Sequence, residues 1–95
     1  MTGFVYILAS SRHGTLYIGV TNNLVRRVFE RRTDRQISFT SLHHIHRLVY
    51  FESHETMPLA IGREKQLKKW NRDWKIRLIE ENNPDWSDLY DGTAT

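Results

Sequence analysis

A carboxylate set in an apolar stripe is the first feature of this chain that calls for a chemical explanation. Thr56 can cap a helix whose first turn holds Pro58, and Met57, Ala60, Ile61 and Leu67 then recur at helical spacing. Glu64 falls four residues after Ala60 and three before Leu67, inside that stripe. A charge facing a core is costly unless it is paired or holds a cation. Glu64 is therefore either half of a structural ion pair or a metal ligand or acid–base group in a cleft. Spacing alone does not choose between the two.

The other residues with chemical potential lie upstream. Tyr6 sits in the apolar run from Gly3 to Ala9, which reads as a strand covered on both faces. Tyr17 and Gly19 sit in a second strand over 15–20. Ser10 to Gly14 between them supplies turn formers and a glycine free to take positive φ, so residues 4–20 read as a hairpin. The two tyrosines share a face only if cross-strand partners sum to an odd number. Gly19 inside a strand signals a bulge or a close approach of backbone to something else. Thr21, Asn22 and Asn23 can cap a helix over 24–32, marked by Leu24, Val25, Val28 and Phe29 and carrying Arg26, Arg27 and Arg31.

Further elements must hold these groups in place. Residues 33–46 lack periodicity and read as a loop, with a short ordered piece around 37–40; Arg47 to Glu52 reads as the third strand. The Thr56-capped helix runs to about Trp70, a second covers 74–81, and Asn83-Pro84 ends it. Trp86, Leu89 and Tyr90 are expected to pack back, and 91–95 to form a flexible tail. The order β-β-α-β-α-α cannot make a doubly wound parallel sheet. It predicts an α+β fold: a small, three-stranded, mainly antiparallel sheet with helices packed on it, as a single domain over residues 3–90.

Composition narrows the partners. Up to residue 79 there are fourteen basic and six acidic side chains, a balance of +8; beyond it come five acids and no base, −5. A basic body suits a polyanion, because neutralising phosphates releases counterions. Lys68, Lys69 and Arg72, with Arg26 and Arg31, form either a solvated surface or a patch that tracks a phosphate backbone. The absence of cysteine excludes disulfides and thiolate metal sites and agrees with a cytoplasmic protein. No apolar run approaches a membrane span, and the N-terminus has no charged leader region. His13, His43, His44, His46 and His54 fit no zinc spacing.

Phe4-Val5-Tyr6 and Tyr17-Ile18-Gly19 resemble the paired motifs of the GIY-YIG nuclease superfamily. The resemblance extends through Thr15-Leu-Tyr-Ile-Gly-Val-Thr21, Asn23-Leu-Val-Arg-Arg-Val28, Arg47-Leu-Val-Tyr50, Arg63-Glu-Lys-Gln-Leu-Lys-Lys-Trp70 and Asn83-Pro-Asp-Trp86. It is strongest to the short, stand-alone bacterial members and covers residues 3–90. By position, Tyr6 and Tyr17 match the motif tyrosines, Arg27 the helix arginine and Glu64 the metal-binding glutamate. The resemblance implies a metal-dependent endonuclease acting on DNA with one Mg²⁺ or Mn²⁺. Arg27 would brace the phosphate and Tyr17 would take a proton from the attacking water, directly or through Tyr6. Gly19 would clear space for a phosphate.

Two departures stand out. Many relatives carry a histidine one turn after the arginine, where this chain has Arg31, which can hold a phosphate but cannot act as a base. His43 stands where close relatives tend to have tyrosine. The competing expectation is a binding module of the same fold that grips branched or damaged DNA, or RNA, with little turnover. A third reading makes Trp70, Trp74 and Trp86 contacts for a partner protein, against the simpler reading that all three are core.

Overall fold

The computed structural model describes residues 2–33 and 45–90. The ordered piece expected at 37–40, His43, His44 and the tail over 91–95 lie outside these residues. Among the described residues the chain runs β1 (Gly3–Ala9), β2 (Leu16–Thr21), α1 (Leu24–Thr33), β3 (Arg47–His54), α2 (Met57–Lys69) and α3 (Arg72–Asn82). The three strands form one antiparallel sheet in the order β2-β1-β3. The central strand is the one whose sequence has no polar face, and Val5 to Ala9 are fully buried.

The sheet divides the interior into two layers. On one face Val5, Ile7, Ala9 and Ile18 meet Ala60 and Leu67 of α2, Ile79 of α3, and Trp86. On the other, Tyr6 and Leu8 meet Leu24 and Val28 of α1, with Ile45 and Leu48. Strand alternation sends successive β1 side chains to opposite layers. The ladder to β2 is unbroken, whereas that to β3 shifts between Ile7 and Leu8, where Val49 is the extra residue.

Local chemistry fixes the element ends. Asn23 caps α1, its side chain accepting from the Arg26 N–H at 3.1 Å. Thr56 caps α2, and Asn71 caps α3 by accepting from the Trp74 N–H at 2.9 Å. That cap lets α3 begin at Arg72, two residues earlier than its apolar pattern predicts. In the β1–β2 turn the positive φ falls on His13, at 59°, rather than on Gly14. Gly14 is needed for another reason: a Cβ there would run into the Ser10 and Ser11 side chains. Arg72 donates to the carbonyls of His13 and Gly14 at 2.5 and 2.6 Å, which ties the strained turn to α3.

Part of the acidic end is committed to folding. Asp88 pairs with Arg32 at 2.6 Å and accepts from the N–H groups of Leu48 and Tyr90 at 3.2 and 3.0 Å. Arg32 also lies 4.6 Å over the Tyr90 ring. Asn83, buried, donates to the carbonyls of Val49 and Ser87. The Trp86 indole donates to Glu80 at 2.8 Å, and Glu80 also meets His13 at 3.1 Å. Residues 83–90 therefore stitch β3 to α1 and α3, and Trp86, Leu89 and Tyr90 pack back as expected. Among the described residues no helix is long and apolar enough to cross a membrane.

Burial alone would raise the Asp88 pKa, but Arg32 and the two backbone donors outweigh it and hold the carboxyl below its ordinary value. The sign follows: Asp88 stabilises the fold above the unfolded carboxylate pKa of about 3.9, and that contribution is lost as pH falls through the lower folded value. Asp88→Ala is expected to cost about 2 kcal/mol in urea unfolding at pH 7, with the difference from the unmodified chain shrinking below pH 4. An unchanged midpoint at pH 7 would show that the segment is held by packing alone.

Candidate active site

The β1–β2 register pairs Tyr6 with Gly19 and Leu8 with Tyr17, so partners sum to 25 and both tyrosines face the α1 layer. Their rings lie 6.4 Å apart between centroids, tilted by 39°. Gly19 is buried directly across from Tyr6, and a Cβ built on it would overlap the Tyr6 hydroxyl and ring. Of the two readings of Gly19, the bulge is absent because the ladder is continuous there, and the close approach is the one found. The space its missing side chain leaves is filled by Tyr6, not held open for a phosphate.

Helix α1 lays its arginines over this pair. Arg31 Nη2 donates to the Tyr17 hydroxyl at 3.1 Å, and its guanidinium carbon stands 5.2 Å from the Tyr17 ring centre. Tyr6 is fully buried and its hydroxyl meets no described group with hydrogen-bond geometry. Burial is the main cause that pushes its pKa up, reinforced by Tyr17 and partly offset by the nearby charges of Arg31 and Arg27. Tyr6 therefore stays a neutral phenol at ordinary pH.

Arg27, 39 % exposed, is only loosely tied to Glu30 at 3.6 Å and lines a polar groove with Thr21, Asn22, Asn23, Arg26 and Glu30. The structure thus gathers Tyr6, Tyr17, Arg27 and Arg31 on one side of the sheet, with Arg26 at the rim of the groove. Arg31 is the residue whose expected role changes most. It is directed at Tyr17, rather than displayed as one more phosphate contact.

Glu64 stands on α2, in the opposite layer. Its side chain is 14 % exposed between the buried Ala60 and Leu67, and its ion pair is with Lys68 at 3.5 Å. The inward position matches the stripe, except that Ile61 lies at the surface. One residue on from Ala60 means about 100° of rotation, which carries Ile61 out of the buried arc. Among the described residues no hydrogen bond or ion pair joins Glu64 to Tyr6, Tyr17 or Arg27. Tyr17 lies on the edge strand β2, and Glu64 lies on the helix of the opposite layer. Of the other basic candidates, Lys68 pairs with Glu64, Lys69 is exposed, and Arg72 is occupied by the hairpin turn.

The donor set bears on a metal. Among the described residues no three His, Asp or Glu side chains are gathered into a cage. A single carboxylate, mostly shielded and paired among the described residues with a half-exposed lysine, fits a hard cation that keeps most of its own water. It does not fit zinc.

One further cluster sits on β3. Glu52 accepts from the Tyr50 hydroxyl, contacts His54 at 2.9 Å and accepts from Arg63 at 2.9 Å. Burial and the bond to Glu52 drive the Tyr50 pKa well above the usual phenol range. Burial pushes Glu52 up, but its three donors prevail and hold it below the carboxylate norm. Tyr50, Glu52 and His54 alternate along β3, and that i, i+2, i+4 spacing was the available signal.

The GIY-YIG catalytic domain family matches residues 2–77. The chain belongs to the GIY-YIG family. UPF0213 proteins of Staphylococcus aureus strains Mu3 and COL are each 36 % identical over 78 residues, covering 82 % of this chain and 94 % of theirs. A UPF0213 protein from Bacillus halodurans, solved by solution NMR, superposes with a TM-score of 0.58 at 24 % identity, covering 94 % of each chain. That likeness carries the fold alone. As a GIY-YIG domain, the chain belongs with the nucleases and with nucleic acid as substrate.

Two substitutions test the packing of the GIY-YIG tyrosines. Gly19→Ala is expected to cost about 1–3 kcal/mol in urea unfolding, because the new methyl group displaces Tyr6. Tyr6→Phe, which removes a buried hydroxyl with no well-formed hydrogen bond among the described residues, is expected to leave stability equal or slightly raised. A loss above about 2 kcal/mol in Tyr6→Phe would mean that the hydroxyl has a partner that stabilises the fold.

Proposed function

We propose that this GIY-YIG domain is a metal-dependent endonuclease that hydrolyses phosphodiester bonds of DNA. The observation that carries the reading is the gathering of Tyr6, Tyr17, Arg27 and Arg31 on one face by the β1–β2 register and α1. Two phenols and two guanidinium groups around one surface supply proton-transfer groups and anion stabilisation together.

Each side chain has a distinct task. Arg27, loosely paired beside an open groove, braces the scissile phosphate with its planar fork. The Tyr17 oxygen accepts from Arg31, so its orientation is fixed before substrate arrives; it takes the proton of the attacking water while its own hydroxyl proton passes to a phosphate oxygen. Tyr6, fully buried and kept a neutral phenol, packs beside the Tyr17 ring and sets its position without touching the substrate. Glu64 would hold a hydrated Mg²⁺ or Mn²⁺, which when bound supplies charge neutralisation for the phosphate and the departing oxygen. The substrate backbone would then run from Tyr17 on the edge strand β2 toward the helix that carries Glu64. Arg26, Lys68 and Lys69 flank that path as non-specific phosphate contacts.

The test is nicking of closed-circular and branched DNA with Mg²⁺ or Mn²⁺. The unmodified chain is expected to nick, chelation and Glu64→Ala to abolish nicking, and Arg27→Ala to slow it about 10²–10³-fold. No cleavage of any DNA, with Glu64→Ala binding as well as or better than the unmodified chain, would replace the nuclease by a binding module of the same fold.

A further inference from the structure

Trp74 departs from the expectation that the tryptophans form core. It is 52 % exposed, whereas Trp86 is fully buried. With Trp70, Arg77, Leu78 and Glu81 it lines an open groove at the joint between α2 and α3. The indoles of Trp70 and Trp74 meet edge to face, 5.8 Å between centroids and 86° between planes. Two perpendicular aromatic walls form a corner, and a flat heterocycle can stack on one wall while its edge meets the other.

The corner is built before any ligand arrives. Trp70 is the C-cap of α2, and the Trp74 N–H is held by the Asn71 cap of α3. Arg63, fixed by Glu52 at 2.9 Å and Gln66 at 2.8 Å, lies 5.2 Å over the Trp70 ring. A cation against Trp70 holds the ring in place, and pre-organised aromatic walls lose little freedom on binding.

The charges around the corner are complementary to a nucleotide. Trp74, Arg77, Leu78 and Glu81 are spaced i, i+3, i+4, i+7, one face of α3. Among the described residues neither Arg77 nor Glu81 is in an ion pair, with the other or with any other side chain. Arg77 offers a cation for a phosphate. Glu81, ionised, can only accept hydrogen bonds. Adjacent N–H donors that match a carboxylate occur on the Watson–Crick edge of guanine, at N1 and N2. Adenine presents a single amino group beside an acceptor.

We infer that the Trp70–Trp74 corner is a binding site for an unpaired guanine nucleotide, stacked on the indoles, read by Glu81 and neutralised by Arg77. Unpaired bases are recognised in this way, by stacking on aromatic side chains and bonding at the Watson–Crick edge. The inference rests on nucleic acid being the ligand of this GIY-YIG chain. It adds a second site on a different helix face and a preference for strands with an unpaired guanine.

The test uses the ¹⁵N-labelled full chain and a four-nucleotide single-stranded DNA with one guanine among thymines, beside the same oligomer with adenine. The indole signals of Trp70 and Trp74 are expected to shift on titration, with that of Trp86 still, since it is buried and donates to Glu80. Trp74→Ala is expected to weaken binding by about ten- to a hundredfold, and Glu81→Gln to erase the preference for guanine over adenine. Unshifted Trp70 and Trp74 signals, or a Trp74→Ala affinity equal to that of the unmodified chain, would overturn the inference. So would a groove that ignores both oligomers and takes an apolar peptide instead. Cleavage of a fully paired linear duplex reads the nuclease assignment separately: that activity with unshifted indoles sinks only the guanine site, and shifted indoles without any cleavage sink only the nuclease.

Discussion

Tyr6 lies against Gly19, and the rest of the site follows from that contact. A strand pair repeats every two residues, so sliding β2 by one position would move Tyr17 to the layer of α2 and α3 and bring Ile18 out opposite α1. The apolar residues of β2 resist this, because Ile18 completes the cluster of Val5, Ile7 and Ala9. Gly19 resists it locally, because only a residue without Cβ accommodates the Tyr6 ring and hydroxyl across the ladder. One glycine thereby fixes the register, the face on which the tyrosines meet and the depth at which Tyr6 is buried.

The same register has a consequence for charge. A buried phenol with no well-formed hydrogen bond among the described residues is an unfavourable neighbour for further burial, yet the layer above it is helix α1 with four arginines among its ten residues. Arg31 resolves the conflict by reaching the Tyr17 oxygen and standing beside Tyr6. Arg32 turns the other way, to Asp88 and Tyr90. Adjacent arginines on one helix thus serve different ends, one at the site and one in the clasp that anchors residues 83–90. The positive balance of the body and the negative balance of the C-terminal part are coupled through contacts of this kind.

The strands, the helices, their order and the burial of β1 were legible because hydrophobic period and caps report them directly. Glu64 was legible for the same reason: a charged residue stands out in a periodic apolar face. Ile61 shows the limit of that reading, since a stripe drawn by spacing has no edge until the packing partner is known. The close approach at Gly19 was legible, but its identity was not, because sequence does not say that Tyr6 is what approaches. The bonds of Asp88 to Arg32 and of Asn83 to Val49 carried no signal of their own; they span 56 and 34 residues and are brought about only by the fold. Arg31 read as a departure from the relatives, and its bond to Tyr17 required the register to be known.

Glu64, on the helix of the layer opposite Tyr17, is where we propose that the cation binds. Mn²⁺ titrated into the ¹⁵N-labelled chain broadens the signals nearest to the bound ion, so it reports the location without needing turnover. Broadening is expected to begin at the amides of Glu64 and Lys68 and in β2 near Gly19, and to vanish in Glu64→Gln. Broadening centred on Glu52 and His54, or unchanged by Glu64→Gln, would contradict the account.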